Sequence, residues 1–209
     1  MRQATGNNTP HTADRVSIQQ SLDGHSFSVS GLEGDFPGDE AVPVEILTPQ
    51  TLLVPSEFLQ TMTPAELLAA AGMACSEKQQ AVRSLPKALN AGTEVVAVMA
   101  IGEEALQAVR ERLGYRASFT TPLLYGPTAG RPTVWLYLRA GILYIKVFDR
   151  ALRMAEAIPA ATDADVLYFI DRLSKAFPLE NMLLRTIGRN AKKVCKLVGN
   201  RFGEVVCAS

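Results

Sequence analysis

Hydrophobic and polar residues alternate along this chain in a way that predicts short strands separated by a few helices. The runs Val16–Leu22 and His25–Ser30 flank the pair Asp23-Gly24. Both residues of that pair tolerate a positive φ, so the pattern predicts an antiparallel hairpin with a two-residue turn. We expect the ordered structure to begin at this hairpin.

Helices are predicted where apolar residues recur every three or four positions. Thr63-Pro64-Ala65-Glu66 has the sequence of a helix start, with a capping threonine, a proline in the first turn and a glutamate at the third position. A second helix is predicted from Gly102 to Leu113. Other segments of this half are predicted strands: Pro43–Leu47, Val82–Leu85, Glu94–Ile101 and Arg116–Thr120. Thr51–Pro55 is a short apolar segment closed by proline.

The segment Tyr125–Pro132 contains two glycines and two prolines, which is typical of a crossing between domains. After it the order of elements repeats. A meander of three strands is followed by helix, strand, helix and strand, at Thr133–Leu138, Ile142–Phe148, Leu152–Ile158, Asp163–Ala176, Met182–Ile187, Gly188–Val198 and Glu204–Ala208.

We therefore predict an α/β protein made of two tandem subdomains, each with a mixed sheet that opens with a hairpin and carries helices. The predicted division is a disordered tail at 1–13, a first subdomain at 14–124, a crossing linker at 125–132 and a second subdomain at 133–209. A chain of 209 residues is long enough for this arrangement.

The composition is that of a folded protein, and its charge balance argues against some classes of binding partner. The chain is 47% hydrophobic and 20% charged, which excludes a disordered polymer. Its 21 basic and 21 acidic residues cancel, so no overall field attracts nucleic acid or membrane. The charges are nevertheless unevenly placed, because no lysine or arginine occurs from Val16 through Glu77 and no acid occurs from Met182 to Gly203.

The basic end of the chain places four charges on one face of a predicted helix, at Arg189, Lys192, Lys193 and Lys196. This face could bind RNA or another anion, an acidic protein, or the acidic first half of a neighbouring copy. A solvated surface is the favoured interpretation, because no aromatic residues are interleaved for stacking on bases. Nucleic acid is the less favoured partner, and a protein partner or a homo-oligomer is preferred.

Three cysteines, Cys75, Cys195 and Cys207, are widely spaced and odd in number. They suggest neither a disulfide framework nor a metal knuckle, so we expect free thiols in a reducing cytoplasm. The first thirty residues contain no apolar leader, and no run is long enough for a membrane helix. The sequence thus predicts a cytoplasmic protein without a membrane partner.

Three stretches resemble a known bacterial family. They are SIQQSLDGHSFSV at Ser17–Val29, PVEILTPQTLLVP at Pro43–Pro55 and WLYLRAGILYIKVFD at Trp135–Asp149, and they are similar to motifs of domain of unknown function 3822 (DUF3822). The resemblance covers roughly 16–198. It implies an actin-like ATPase fold, built from two ribonuclease H-like units, and no assigned biochemical role.

The resemblance also implies where a nucleotide would bind. Actin-like ATPases hold Mg-nucleotide with an Asp-x-Gly turn in each opening hairpin, whose amides approach the phosphates while the carboxylate organises magnesium. In this sequence Gln19 and Ser21 align with the first motif, and Tyr137 and Arg139 align with the second. Because both carboxylates are missing, we do not expect ATP, magnesium or hydrolysis here, and weak binding of nucleotide without hydrolysis stays an alternative.

Two degenerate turns remain as candidate cofactor-binding positions, Asp23 with Gly24 and Arg139 with Gly141. Each could hold an anion, and each is explained as simply by an ordinary hairpin turn. No catalytic or metal-binding residue is predicted, since His11 and His25 have no partners at metal spacing and the common phosphate and nucleophile motifs are absent.

These observations predict a catalytically degenerate actin-like protein that acts as a binding or assembly module. The alternative is an active nucleotide-dependent ATPase or sugar-kinase-like phosphotransferase that uses acids elsewhere in the cleft, such as Asp23 or Asp149. A second alternative is binding of RNA or an acidic protein through the basic helix at 188–198.

Overall fold

The computed structural model describes residues 16–21, 24–90, 93–126 and 130–208. Within these ranges, thirteen strands form three sheets on which four α-helices pack. The tail predicted at 1–13 lies outside the described residues, as does the middle of the predicted linker at 127–129.

The first half of the chain contains eight strands and two α-helices. They are, in chain order, β1 (Val16–Gln20), β2 (Phe27–Ser30), β3 (Val42–Leu47), β4 (Thr51–Pro55), α1 (Pro64–Ala70), β5 (Gln79–Arg83), β6 (Lys87–Asn90), β7 (Thr93–Gly102), α2 (Glu103–Leu113) and β8 (Ala117–Thr120). Sheet one has the strand order β2-β1-β3-β8. Sheet three has the order β4-β7-β5, with β6 also paired to β7.

The second half contains five strands and two α-helices. They are β9 (Thr133–Arg139), β10 (Ile142–Asp149), β11 (Ala151–Pro159), α3 (Asp163–Ala176), β12 (Leu183–Ile187), α4 (Ala191–Val198) and β13 (Glu204–Ala208). Sheet two has the order β11-β10-β9-β12-β13, in which the first three strands are antiparallel and the last two run parallel to β9. The predicted meander and the elements after it are confirmed.

The third strand of the first half, β3, does not pair with β2 as the third strand of a meander would. β3 lies on the far side of β1 from β2 and runs parallel to β1, with Ser17 beside Glu45 and Gln19 beside Leu47. Parallel neighbours need a long connection, which the loop 31–41 supplies. β3 is buried on both faces from Val44 to Leu47, so its apolar pattern could not indicate its direction. The first half also contains β4 and β6, which have no counterparts in the second half, so the predicted identity of element order in the two halves is wrong.

The first hairpin is antiparallel, as predicted. Gln20 pairs with Phe27, and the Ser21 amide donates to the Ser26 carbonyl at 2.9 Å. Residues 22 and 23 lie outside the described residues, so the two-residue turn at Asp23-Gly24 stays a prediction. Gly24 keeps a positive φ of 76°, whereas Asp23 lies outside the described residues.

Two arginines fasten the long loop 31–41 to the end of α2. Arg112 donates to the carbonyls of Leu32 and Gly34, and Arg116 donates to those of Phe36 and Glu40. The loop thus has its backbone acceptors satisfied by side chains, as a loop that crosses a sheet end requires.

Two apolar cores lie on the outer faces of sheets one and two. The first fills the space between sheet one, α2 and sheet three, and its members include Val16, Ile18, Val44, Ile46, Met99, Ile101, Leu106 and Val109. The second lies between sheet two and the helices α3 and α4, and includes Val134, Leu136, Leu143, Ile145, Val166, Ile170, Val194 and Val198.

Both helix starts with a capping threonine, Thr63 and Thr162, form the reciprocal capping box.

Candidate functional site between sheets one and two

The remaining face of sheet two is buried against residues of the first half and forms a third buried cluster, which we call the seam. Its members are Leu47 and Leu123 from the first half and Trp135, Tyr137, Ile142, Tyr144 and Ala157 from the second. Tyr137, which aligns with a phosphate motif of an actin-like fold, belongs to the seam, so a nucleotide site is expected beside it.

The first degenerate turn is held by its own side chains. The Gln20 amide donates to the Gly24 carbonyl at 2.9 Å, and the Thr48 hydroxyl donates to Gln20 Oε1 at 2.6 Å. The Gly24 amide, which a phosphate would need, donates instead to the Ser21 carbonyl at 3.0 Å. In the described part of this turn, the Gly24 amide and carbonyl therefore already form hydrogen bonds within the protein.

The second degenerate turn is a two-residue hairpin turn. Ala140 and Gly141 have φ values of 56° and 70°, and Arg139 pairs with Ile142 across the turn. The Gly141 carbonyl accepts a hydrogen bond from the Ala160 amide at 2.7 Å. Positive φ at both central residues explains the turn without a ligand.

Arg139 points into the seam, where it meets a buried carboxylate. Its Nη1 lies 2.5 Å from Oε2 of Glu45, whose side chain is 1% exposed, while that of Arg139 is 28% exposed. Nη1 also donates to the Tyr137 hydroxyl at 3.3 Å. Burial opposes the charge of Arg139, but Glu45 and Tyr137 outweigh it and raise the pKa of the guanidinium.

Tyr137, which aligns with the second missing aspartate, fills space beside β12. A Cβ added to Gly188 would lie 2.3 Å from Cε2 of the Tyr137 ring, so only glycine lets the ring pack there. The Trp135, Tyr137 and Tyr144 rings follow one another along the seam, with centroids 6.1 and 6.2 Å apart. Burial raises the pKa of Tyr144 well above its ordinary value, and the nearby Glu45 adds to this.

Two lysines hold the segment that leads out of the first half. The Lys87 ammonium donates to the Leu124 carbonyl, and the Lys146 ammonium donates to the next carbonyl, that of Tyr125. Lys146 is fully buried and its Nζ lies 4.4 Å from the centre of the Trp135 ring. Burial, together with the charge of Lys87, lowers the pKa of Lys146 to about 7.

The polar groups in the seam bind one another and connect the two halves of the chain. Across the described residues, no group of three or more histidine, cysteine, aspartate and glutamate side chains could hold a metal ion. Gln19 and Tyr137 stand where magnesium carboxylates were sought, and Glu45 already neutralises Arg139. Glu45 and Lys146 were not predicted, although a single lysine in the apolar strand 142–148 was a usable signal.

The predicted basic face lies on α4 and is exposed. Lys192, Lys193 and Lys196 point away from the buried face formed by Ala191, Val194 and Val198. Lys193 forms an ion pair with Asp163 at 2.7 Å. Arg189 precedes the helix and is also exposed. The three lysines therefore lie on the exposed part of α4, and Arg189 lies before its first residue.

The expectation of three free cysteines is wrong for two of them. Cys195 on α4 and Cys207 on β13 form a disulfide, and Cys75 is free. The two partners are 12 residues apart, and their pairing could not be predicted because it depends on β13 returning beside β12. No helix among the described residues is long and apolar enough to cross a membrane.

Comparison with solved structures confirms the fold class. A protein of Bacteroides thetaiotaomicron, described as having an actin-like ATPase fold and unknown function, matches with a TM-score of 0.63 and 16% identity. The match covers 91% of this chain and 89% of that one. At this identity the likeness establishes the fold alone.

A second structure, the cytoplasmic domain of EpsL, an inner membrane component of the type II secretion system of Vibrio cholerae, matches with a TM-score of 0.37 and 13% identity over 82% of this chain and 80% of that one. This likeness is too weak to carry an argument. No protein-family model matches the sequence, and no curated protein matches it either. The resemblance to DUF3822 thus rests on its three motifs.

Proposed function

We propose that this chain is a catalytically degenerate actin-like protein of the DUF3822 type that acts in the cytoplasm as a binding or assembly module. The observation that carries the proposal is the ion pair between Arg139 and Glu45, which joins sheets one and two inside the seam. A buried pair of this kind favours one fixed arrangement of the sheets over an open cleft that admits nucleotide.

The surroundings of the pair support the same interpretation. Magnesium at nucleotide sites is held through one or two carboxylates, and the two aligned positions hold the uncharged side chains of Gln19 and Tyr137. Phosphate binding would also need amides and a free cation. The Gly24 amide and Arg139 are both engaged within the protein.

The alternative, an active ATPase or phosphotransferase, needs an acid near these turns. Asp149 is exposed at the far end of β10 from Arg139. A strand of this length separates its two ends by roughly 23 Å, at about 3.3 Å per residue. Asp149 is therefore badly placed to organise an ion beside the turn at Arg139.

Calorimetric titration with Mg-ATP tests the proposal. We expect no measurable heat of binding at millimolar nucleotide and no release of phosphate, because the turns present neither carboxylates nor free amides. An active actin-like ATPase titrated in parallel controls for the nucleotide. Micromolar binding accompanied by phosphate release would establish the enzymatic alternative.

We further propose that the basic face of α4 binds an acidic protein partner. The supporting observation is that Lys192 and Lys196 are exposed and form no ion pair within the described ranges, while the opposite face of the helix is buried. A nucleic-acid partner is disfavoured because stacking aromatics are missing from this helix.

A labelled polyglutamate peptide and a polyuridylate RNA serve as probes of this face. We expect the peptide to bind at low salt, with an affinity that falls steeply as salt increases. Double charge reversal, Lys192→Glu with Lys196→Glu, should abolish binding, whereas the control Lys78→Glu, an exposed lysine on the first half, should not. Binding of the RNA alone, or binding indifferent to the reversal, would contradict this proposal.

A further inference from the structure

The last strand, β13, is an edge strand with little side-chain burial. Four of its five residues are exposed, and Val206 is half-buried. Its backbone pairs with β12 on one side, from Leu183 beside Glu204 to Ile187 beside Ala208. Other strands of sheet two are held by buried apolar side chains. Because β13 buries few such groups, its attachment depends mainly on the backbone hydrogen bonds to β12.

Two covalent or ionic contacts add to that pairing, one near each end of the strand. Arg131 forms a double hydrogen bond with Glu204, with both distances 2.8 Å. Both side chains are more than half exposed, so water screens this ion pair and its stabilisation is small. The disulfide from Cys207 to Cys195 is therefore the principal side-chain fastening of β13.

The disulfide is accessible from one side only. Cys207 is exposed, whereas Cys195 is half-buried on α4 and its sulfur lies 2.9 Å from the Thr186 hydroxyl. A reducing thiol therefore reaches Cys207 first. The helix does not depend on the disulfide, because Val194 and Val198 anchor it in the second core and Asn190 donates to the Leu138 carbonyl at 3.0 Å.

We propose that the Cys195–Cys207 disulfide is a redox-operated clasp that holds β13 on the edge of sheet two and releases it on reduction. The reductant is a cellular thiol of the glutathione or thioredoxin class. Its thiolate attacks the Cys207 sulfur and expels the Cys195 thiolate, which takes up a proton. A second thiol of the reductant then displaces Cys207 as a thiol, and the reductant leaves as its own disulfide.

Release changes the surface of the molecule at one edge. Without β13, the outward N–H and C=O groups of β12 lose their partners and face solvent. α4 and the rest of sheet two keep their own contacts with the second core. The clasp thus controls a single strand, whereas a purely structural disulfide would stabilise the whole sheet.

Amide hydrogen exchange on the full chain, oxidised and then treated with dithiothreitol, tests the clasp. On reduction we expect exchange in 204–208 to accelerate at least about tenfold, with β9 and β10 unchanged. Oxidised glutathione should restore the slow exchange. The variant Cys207→Ser should behave as permanently released, and Cys75→Ser, which alters the free cysteine, should behave as the parent.

Three results would overturn the inference. One is unchanged exchange in β13 after reduction, which would mean that backbone pairing alone holds the strand. Another is equal acceleration throughout sheet two, which would make the disulfide a general support of the fold. The third is titration of three thiols in the unreduced, denatured protein, since only Cys75 should then react.

Discussion

Lys146 is a cation enclosed on a strand whose neighbouring residues are apolar. Its ammonium contacts the Tyr125 carbonyl and the faces of Trp135 and Phe148. The aromatic faces favour the charged form, but burial and the nearby Lys87 outweigh them and lower the pKa to about 7. This one side chain makes the stability of the protein depend on pH in a range where exposed lysines do not titrate.

We predict that the free energy of unfolding rises between pH 7 and pH 9. In that window the unfolded lysine, with its ordinary pKa of 10.5, binds a proton that the folded Lys146 has lost, so raising the pH favours the folded state. The expected gain is about 2 kcal/mol, from ~1.4 kcal/mol per pH unit at full slope. Urea unfolding at several pH values measures it.

The variant Lys146→Met should lose most of this dependence and be the more stable protein at pH 7. The control Lys175→Met removes an exposed lysine from α3 and should keep the slope of the parent. Equal slopes in the parent and in Lys146→Met would show that the buried ammonium is not the titrating group.

At the level of elements, the junction of β12 and α4 depends on a single glycine. Gly188 has a φ of 83°, and the Tyr137 ring lies where its side chain would be. The short turn from Gly188 to Asn190 can therefore carry α4 back over sheet two only while this position lacks a Cβ.

We predict that Gly188→Ala destabilises the protein by about 2–4 kcal/mol. A positive φ costs an alanine about 1 kcal/mol or more, and contact with the ring adds overpacking of about 1–3 kcal/mol. Gly38→Ala is the matched control, because Gly38 has a φ of 76° and nothing within 4 Å. Thermal and urea unfolding of both variants measure the difference.

Adding Tyr137→Leu to Gly188→Ala should recover the overpacking part and leave the backbone part. Measured against Tyr137→Leu alone, the added Gly188→Ala change should then cost about as much as Gly38→Ala. If Gly188→Ala and Gly38→Ala cost the same, the ring does not constrain this junction.

The sequence predicted these elements better than their arrangement. Capping residues and apolar spacing predicted α1, α2 and α3, and apolar runs separated by turns predicted β9, β10 and β11. The direction of β3 could not be predicted because both faces of the strand are buried. β6 was not predicted because it is short and follows Pro86. Local patterns report which face of an element is buried, whereas pairing partners depend on contacts between distant residues.

The same limit applies to the candidate site. The turn at Ala140-Gly141 could be predicted from its residues, whereas the loss of aspartates at Gln19 and Tyr137 stays a prediction from the aligned motifs. The pairing of Arg139 with Glu45 could not, because nothing near either residue in the sequence indicates that sheets one and two meet there.

For the whole molecule, that ion pair joins the two halves through unequal partners. Glu45 is almost completely buried, whereas Arg139 retains contact with water. Removing the arginine leaves a buried carboxylate without a counter-charge. Removing the carboxylate leaves a cation that water can solvate. The cost of breaking the pair therefore depends on which side is changed.

We predict that Arg139→Met costs about 3–5 kcal/mol of unfolding free energy and Glu45→Gln about 1–2 kcal/mol. The double variant should cost less than the sum, because no unpaired charge remains. Arg153→Met, which alters an exposed arginine on β11, serves as the control. Additive losses, or an Arg139→Met loss equal to that of the control, would show that the pair does not couple the halves.

β7 divides its side chains between two cores. Its odd positions, including Ala97, Met99 and Ile101, join the first core beneath sheet one, and the even positions Val98 and Ala100 face α1 on sheet three. Sheet three is consequently not a detachable appendage. Any homologue that exchanges it for another structure would have to conserve a strand with the same odd-position surface, or rebuild the interior of the first half around the replacement.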